Sequence, residues 1–174
     1  MALRKFLTTV ALTAGLILLS GCDSAEERAE KHYLAGLEYL QSGDVDRALV
    51  EFRNVFQLDG THREARRAYA EAERDRGNLR EAFSQYLRLV EQYPDDHDAQ
   101  KALAAISAEA GDWKTAQRYA GEALKQSPED ADLKAVKVAA DYAIAAEAND
   151  ASAIVATSQR ARDLLEATPG NLLL

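Results

Sequence analysis

The chain carries one thiol, Cys22, and three imidazoles, His32, His62 and His97, and these are the side chains best suited to chemistry. A lone cysteine closes no intrachain disulfide, so its meaning comes from its surroundings. The histidines stand 30 and 35 residues apart. A metal centre would need them to converge with other ligands on one point, and they read instead as packing or boundary residues. There is no HExxH, GxSxG, P-loop or Rossmann glycine pattern, so no catalytic residue, metal or cofactor is assigned. The many acids sit beside Arg and Lys at helical spacings, as Glu71 does beside Arg74. That is the pattern of a solvated helix face.

Cys22 stands at the end of a distinctive segment. Arg4 and Lys5 give a short basic start, and Phe6 to Leu19 then runs without a charge. Basic residues, an apolar stretch of this length and small residues behind it form a secretory signal. The apolar run falls short of the roughly 20 residues that a membrane-spanning helix needs. Leu19-Ser20-Gly21-Cys22 resembles the lipobox of bacterial lipoproteins. That resemblance implies removal of residues 1–21 and a covalent lipid of the palmitate type on Cys22, which becomes the first mature residue. Two or more acyl chains hold firmly where one anchors marginally. Asp23, next in the chain, resembles the inner-membrane retention signal of enterobacterial lipoproteins. The expected location is the cell envelope, facing the periplasm, with the inner membrane favoured over the outer.

Composition bounds what such an anchor carries. The 174 residues are 47% hydrophobic but only 7% aromatic, with three prolines and nine glycines. Ala and Leu supply most of the apolar share, which predicts an all-helical protein with small residues at helix contacts. The formal charge is −8. Loss of residues 1–21 removes two bases and no acid, leaving 19 bases against 29 acids. Nucleic-acid binding needs a cationic footprint and is excluded; the acidity favours solubility.

Comparing the chain with itself shows a period. Gly43, Gly77 and Gly111 lie 34 residues apart, as do Ala48, Ala82 and Ala116, and Asp44, Asn78 and Asp112. Pro94 and Pro128 keep the interval, with Gly60 where a preceding proline would stand. Phe52, Tyr86 and Ala120 share one position, and Val55, Leu89 and Ala123 another. Each column has a physical reason. Glycine adopts the left-handed conformation that ends a helix without a Cβ penalty. The Asp or Asn behind it can cap the next helix. Ser24 with Glu27, Thr61 with Glu64 and Asn78 with Glu81 fit capping boxes. The alanine suits a close helix contact.

This grammar resembles the tetratricopeptide repeat (TPR), with copies at 29–62, 63–96 and 97–130 after a lipidated start at 22–28. His32 and Gly60 depart from the family pattern, as do Glu73 and Ser107 where the first copy has Tyr39. A divergent, longer helix pair follows at 131–171, with helices of about 131–147 and 151–167 and a turn at Asn149-Asp150. Leu172 to Leu174 read as the start of a further unit or a truncated end, because a terminal repeat needs a polar cap. The resemblance implies a concave groove lined by the first helix of each pair. Its expected residues are Glu30, Tyr33, Leu37, Leu40 and Gln41, then Glu64, Arg67, Glu71, Arg74 and Asp75. The third copy adds Asp98, Lys101, Ala105, Ala108 and Glu109, and the fourth Asp132, Ala135, Ala139 and Tyr142. An apolar patch at Tyr33, Leu37 and Leu40 beside basic Arg67 and Arg74 suits a peptide with hydrophobic anchors and nearby acids. Tyr33 and Leu37 stand where the family's carboxylate clamp has Lys and Asn, which argues against that mode.

The function expected is a non-enzymatic, membrane-anchored scaffold binding a protein or peptide in envelope assembly, secretion or export, with no small-molecule substrate. A pilotin-like carrier for secretin or pilus assembly, or the docking module of a larger protein with a downstream catalytic domain, are the alternatives. Mass spectrometry of the membrane-extracted protein should show an acylated peptide beginning at Cys22. Cys22→Ala should abolish both processing and attachment; an intact Met1 terminus on the mature protein would refute the reading.

Overall fold

The turns are built before anything packs. The computed structural model describes residues 23–167, and Gly43, Gly77 and Gly111 adopt φ of 78°, 79° and 73°. At Gly43 its own N–H donates to the Leu40 carbonyl at 3.0 Å, and the Asp44 N–H to the Tyr39 carbonyl at 2.8 Å. The paired bonds satisfy two carbonyls that the helix end leaves open. The same pair recurs at Gly77 and Gly111, and at Asn149, whose φ is 53°. Asparagine is the residue after glycine most tolerant of that conformation.

Between these turns run eight helices, with no strand among the described residues: α1 (Ala25–Gln41), α2 (Val45–Leu58), α3 (Arg63–Asp75), α4 (Leu79–Gln92), α5 (His97–Glu109), α6 (Trp113–Gln126), α7 (Ala131–Glu147) and α8 (Ala151–Ala167). Consecutive helices pair and the pairs stack, the solenoid that the period predicts. None is long and apolar enough to cross a membrane. The expected signal segment, Cys22, the proline-glycine boundary at 169–170 and the terminal leucines lie outside the described residues.

The caps follow the sequence in part. Ser24 and Glu27 form the expected capping box, and Asp44 and Asp112 accept from Arg47 N and Thr115 N. The other two expected boxes are not formed. Asn78 is the N-cap of α4, but its side chain makes no capping hydrogen bond; its amide donates to the Glu73 carboxylate at 3.0 Å, because that acid is buried and needs a donor. Thr61 donates both its N–H and its hydroxyl to Asp59. The helix therefore starts one residue later, and His62 Nδ1 accepts from Ala65 N at 3.2 Å.

The small residues lie where helices meet. Ala48, Ala82 and Ala116 have no exposed surface, nor do Val55, Leu89 and Ala123. Phe52 and Tyr86 fill the space between partner helices, each side chain worth roughly 1.5–3 kcal/mol when removed from water. Gly36 lets α1 approach Phe52, since a Cβ there would lie 2.5 Å from the ring. Ala70 and Ala104 hold the equivalent position in the next pairs, fully buried.

Two glycines separate packing from propensity. Gly36→Ala should lower stability by roughly 1–3 kcal/mol through overpacking against Phe52. Gly121→Ala, in α6 with nothing within 4 Å of its Cβ, should raise it by about 0.5–1 kcal/mol. Urea unfolding of both variants checks the pair, and equal effects would contradict this packing.

Candidate functional site

The first helices of the pairs, α1, α3, α5 and α7, carry the expected groove residues in parallel rows 34 residues apart. One row, Tyr33, Arg67, Lys101 and Ala135, does not lie open. Tyr33 meets the His62 ring with centroids 4.9 Å apart. Arg67 Nη2 donates to Asp96 at 2.8 Å, and Lys101 Nζ to Asp130 at 2.5 Å. Ala135 is fully buried, a correction to its expected place in the groove. His62, Asp96 and Asp130 are themselves 34 apart and are the N-caps of α3, α5 and α7. One contact is thus made three times: a groove-row side chain reaches the cap of the next pair's first helix.

Asp96 is the centre of this ladder. It has no exposed surface. One carboxylate oxygen accepts from Ala99 N at 3.0 Å, and the other from Arg63 Nε and Arg67 Nη2, each at 2.8 Å. Burial pushes its pKa up, but these donors outweigh it and hold the carboxyl below its ordinary value. Asp130 is lowered for the same reason, its opposing donors being Lys101 and Leu133 N. Arg67 also binds Asp98 at 2.9 Å. Its desolvation is more than offset by these acids, and its pKa is raised.

A second row lies behind the first. His32 Nδ1 meets Glu51 at 2.6 Å, and Arg66 Nη1 donates to Gln85 at 2.7 Å. Glu51 and Gln85 are again 34 apart. Arg66, 4% exposed, also donates to the Gly60 carbonyl and lies over the Phe56 ring. His32, which departs from the tetratricopeptide pattern, and Arg66, 34 residues on, are therefore polar bridges within the first two pairs.

What remains open is a cavity of about 610 Å³ lined by Tyr33, Leu37, Arg63, Glu64, Arg67, Ala68, Glu71, Asp95, His97 and Asp98. It brings together Tyr33, Leu37, Glu64, Arg67, Glu71 and Asp98 of the expected groove residues. Leu40, Arg74 and Lys101 are not in its lining. Leu40 packs on the core formed by Ala48, Leu49 and Phe52, and Arg74 is 3.6 Å from Asp75. Tyr142 lies apart, in a cavity of about 530 Å³ with Trp113, Val138 and Leu165. Asp23 pairs with Lys31 at the start of α1. Among the described residues, no group of three or more His, Cys, Asp or Glu could hold a metal.

The electrostatics differ from the expected basic patch. Arg63 and Arg67, the cations of the cavity, are both bound to Asp96. Glu71 has no hydrogen bond or ion pair among the described residues, and burial raises its carboxyl above the ordinary range against the pull of Arg74 and Arg67. Sequence reasoning missed Asp96 and Arg63. The signal available was the constant offset of 29 between Arg67 and Asp96 and between Lys101 and Asp130.

Stacked helix pairs with an open concave face define the class, a helical-repeat solenoid. The sequence pattern of the tetratricopeptide repeat matches residues 39–106, and the fold is that of a TPR-like helical solenoid. A crystal structure of MamA is similar with a TM-score of 0.62 at 16% identity, over 81% of this chain and 80% of that one. PilW, a widely conserved type IV pilus biogenesis factor, gives 0.54 at 19% identity, over 87% and 66%. A Thermobaculum terrenum O-GlcNAc transferase gives 0.56 at 18%, over 70% of this chain and 24% of that one. No curated protein sequence matches the chain.

The ladder makes a stability prediction. Asp96→Ala should cost about 2–4 kcal/mol, combining a lost cap with two cations left without their partner. Asp96→Asn keeps a cap acceptor and should cost less, about 1–2 kcal/mol. Because the folded pKa is lowered, the charge contributes fully above the unfolded value and is lost as pH falls through the folded one. Thermal midpoints of wild type should therefore fall on acidification more steeply than those of Asp96→Asn; parallel profiles would refute the assignment.

Proposed function

We propose that this chain is a lipid-anchored scaffold in the bacterial envelope that holds a partner protein in the groove between its first three helix pairs. The observation that carries this is the open cavity on the concave face, spanning α1, α3 and α5 with apolar side chains in its lining. Leu37 and Ala68 are only partly buried there, and the residues around them fix the walls through the inter-repeat ladder. A wall held in place in advance lowers the ordering cost of binding. The anchor reading rests on the lipobox resemblance at Cys22, and the periplasmic, inner-membrane placement on the signal segment and Asp23. Assembly, secretion or export are the settings that suit a scaffold without chemistry of its own, and type IV pilus assembly is one of them.

Tyr33 and Arg67 support the stack and are poor probes of binding. Leu37→Ala trims the groove, and Val50→Ala, on the exposed side of α2, is the matched control. Affinity capture from solubilised membranes should fall several-fold for Leu37→Ala and stay unchanged for Val50→Ala, with thermal midpoints monitored in both. Capture unaffected by Leu37→Ala would remove the groove from this function.

A further inference from the structure

We propose that the segment held in the groove is basic, an extended stretch in which two cations flank an apolar anchor. This rests on the groove being the docking surface. The cavity lining holds four carboxylates, Glu64, Glu71, Asp95 and Asp98, against two guanidiniums. Both guanidiniums are bound to a fifth carboxylate behind them, Asp96, and Arg67 binds Asp98 as well. An adjoining cavity shares Arg63 and Glu64 and adds Glu26, Glu30 and Asp59, with no further lysine or arginine. The field presented to a partner is therefore negative, although Arg67 and Arg74 taken alone point the other way. Low-dielectric walls concentrate such a field in a cleft.

The geometry narrows the partner further. Glu64 and Glu71 lie seven residues apart on α3, on one face and about 10 Å apart by helical rise. Extended chain of the polyproline II type, with three residues per turn and about 3.1 Å per residue, returns side chains three residues apart to one face at about that distance. Between them the lining supplies Ala68, with Leu37 and Tyr33 across from it on α1. Glu71, with no ion-pair partner among the described residues and its carboxyl partly desolvated in the groove wall, gains most from an incoming ammonium or guanidinium.

Three fluorescent nonapeptides test this against the full chain in detergent. Each has a Leu-Phe pair at positions 4 and 5, flanked at 3 and 6 by Lys, Gln or Glu. Anisotropy should show the Lys peptide binding about tenfold more tightly than the Gln peptide, the sum of two shielded ion pairs. The Glu peptide should bind weakest, and the differences should shrink as salt rises. Glu71→Gln should reduce the Lys preference several-fold, and Glu64→Gln with Glu71→Gln should abolish it at an unchanged thermal midpoint. Equal or tighter binding of the Gln or Glu peptide, a preference that survives the double variant, or binding of none of the three would overturn the proposal. If in that event Leu37→Ala still lowers partner capture from solubilised membranes several-fold, the groove stands and only its charge preference falls. If capture is also indifferent to Leu37→Ala, the docking reading falls with it.

Discussion

Asp96 has no contact with solvent, yet its surroundings hold it in the charged form. Taking a carboxylate out of water is costly, and it persists only where donors replace the lost hydration. Here the donors come from two repeats at once, Ala99 N of its own helix and Arg63 and Arg67 of the preceding pair. The cap of α5 and the docking of the second pair onto the third are thus one interaction. Neither pair can shift along the other without stripping partners from a buried charge. Lys101 and Asp130 repeat the arrangement one step on, and Tyr33 with His62 make it in aromatic form one step back. In a solenoid, where each repeat touches only its neighbours, such a contact sets the geometry of the whole.

This use of the cations has a consequence at the surface. The arginine that lines the groove is the same arginine that ties the repeats together, so its charge is already answered. The acids of the first helical turns are left to dominate the open face, where they also complement the positive helix N-termini. A chain with more acids than bases can hold its stack together by ion pairing and still present a negative concave wall.

The fourth pair stands somewhat apart from this scheme. α7 and α8 are 17 residues each, against 13 and 14 for α5 and α6. Tyr142, Val155 and Leu165 are exposed on them, and Tyr142 shares its cavity with Trp113 rather than with the groove. Here Asp141 takes the place of a buried anchor, receiving Gln117, Lys137 and Arg160. It too is a carboxylate pressed upward by burial and lowered by its donors.

Much of the fold was legible in the residues themselves. Glycine at 34-residue intervals, followed by Asp or Asn, specifies a left-handed turn and a cap from local sterics alone, and Ala48, Ala82 and Ala116 specify close contacts by size. These are short-range constraints, so the sequence carries them directly. The capping boxes at Thr61 and Asn78 do not form because a neighbouring Asp59 and a buried Glu73 take those side chains, and burial is not written in the local sequence. The groove was half legible. The helices that line it follow from the period, and Tyr33, Leu37, Arg67 and Glu71 do meet there. Which of them remain available to a partner depended on side chains about 30 residues away. The pairing of Arg67 with Asp96 exists only once two repeats are stacked, and a charge shows its net effect only when all of its neighbours are in place.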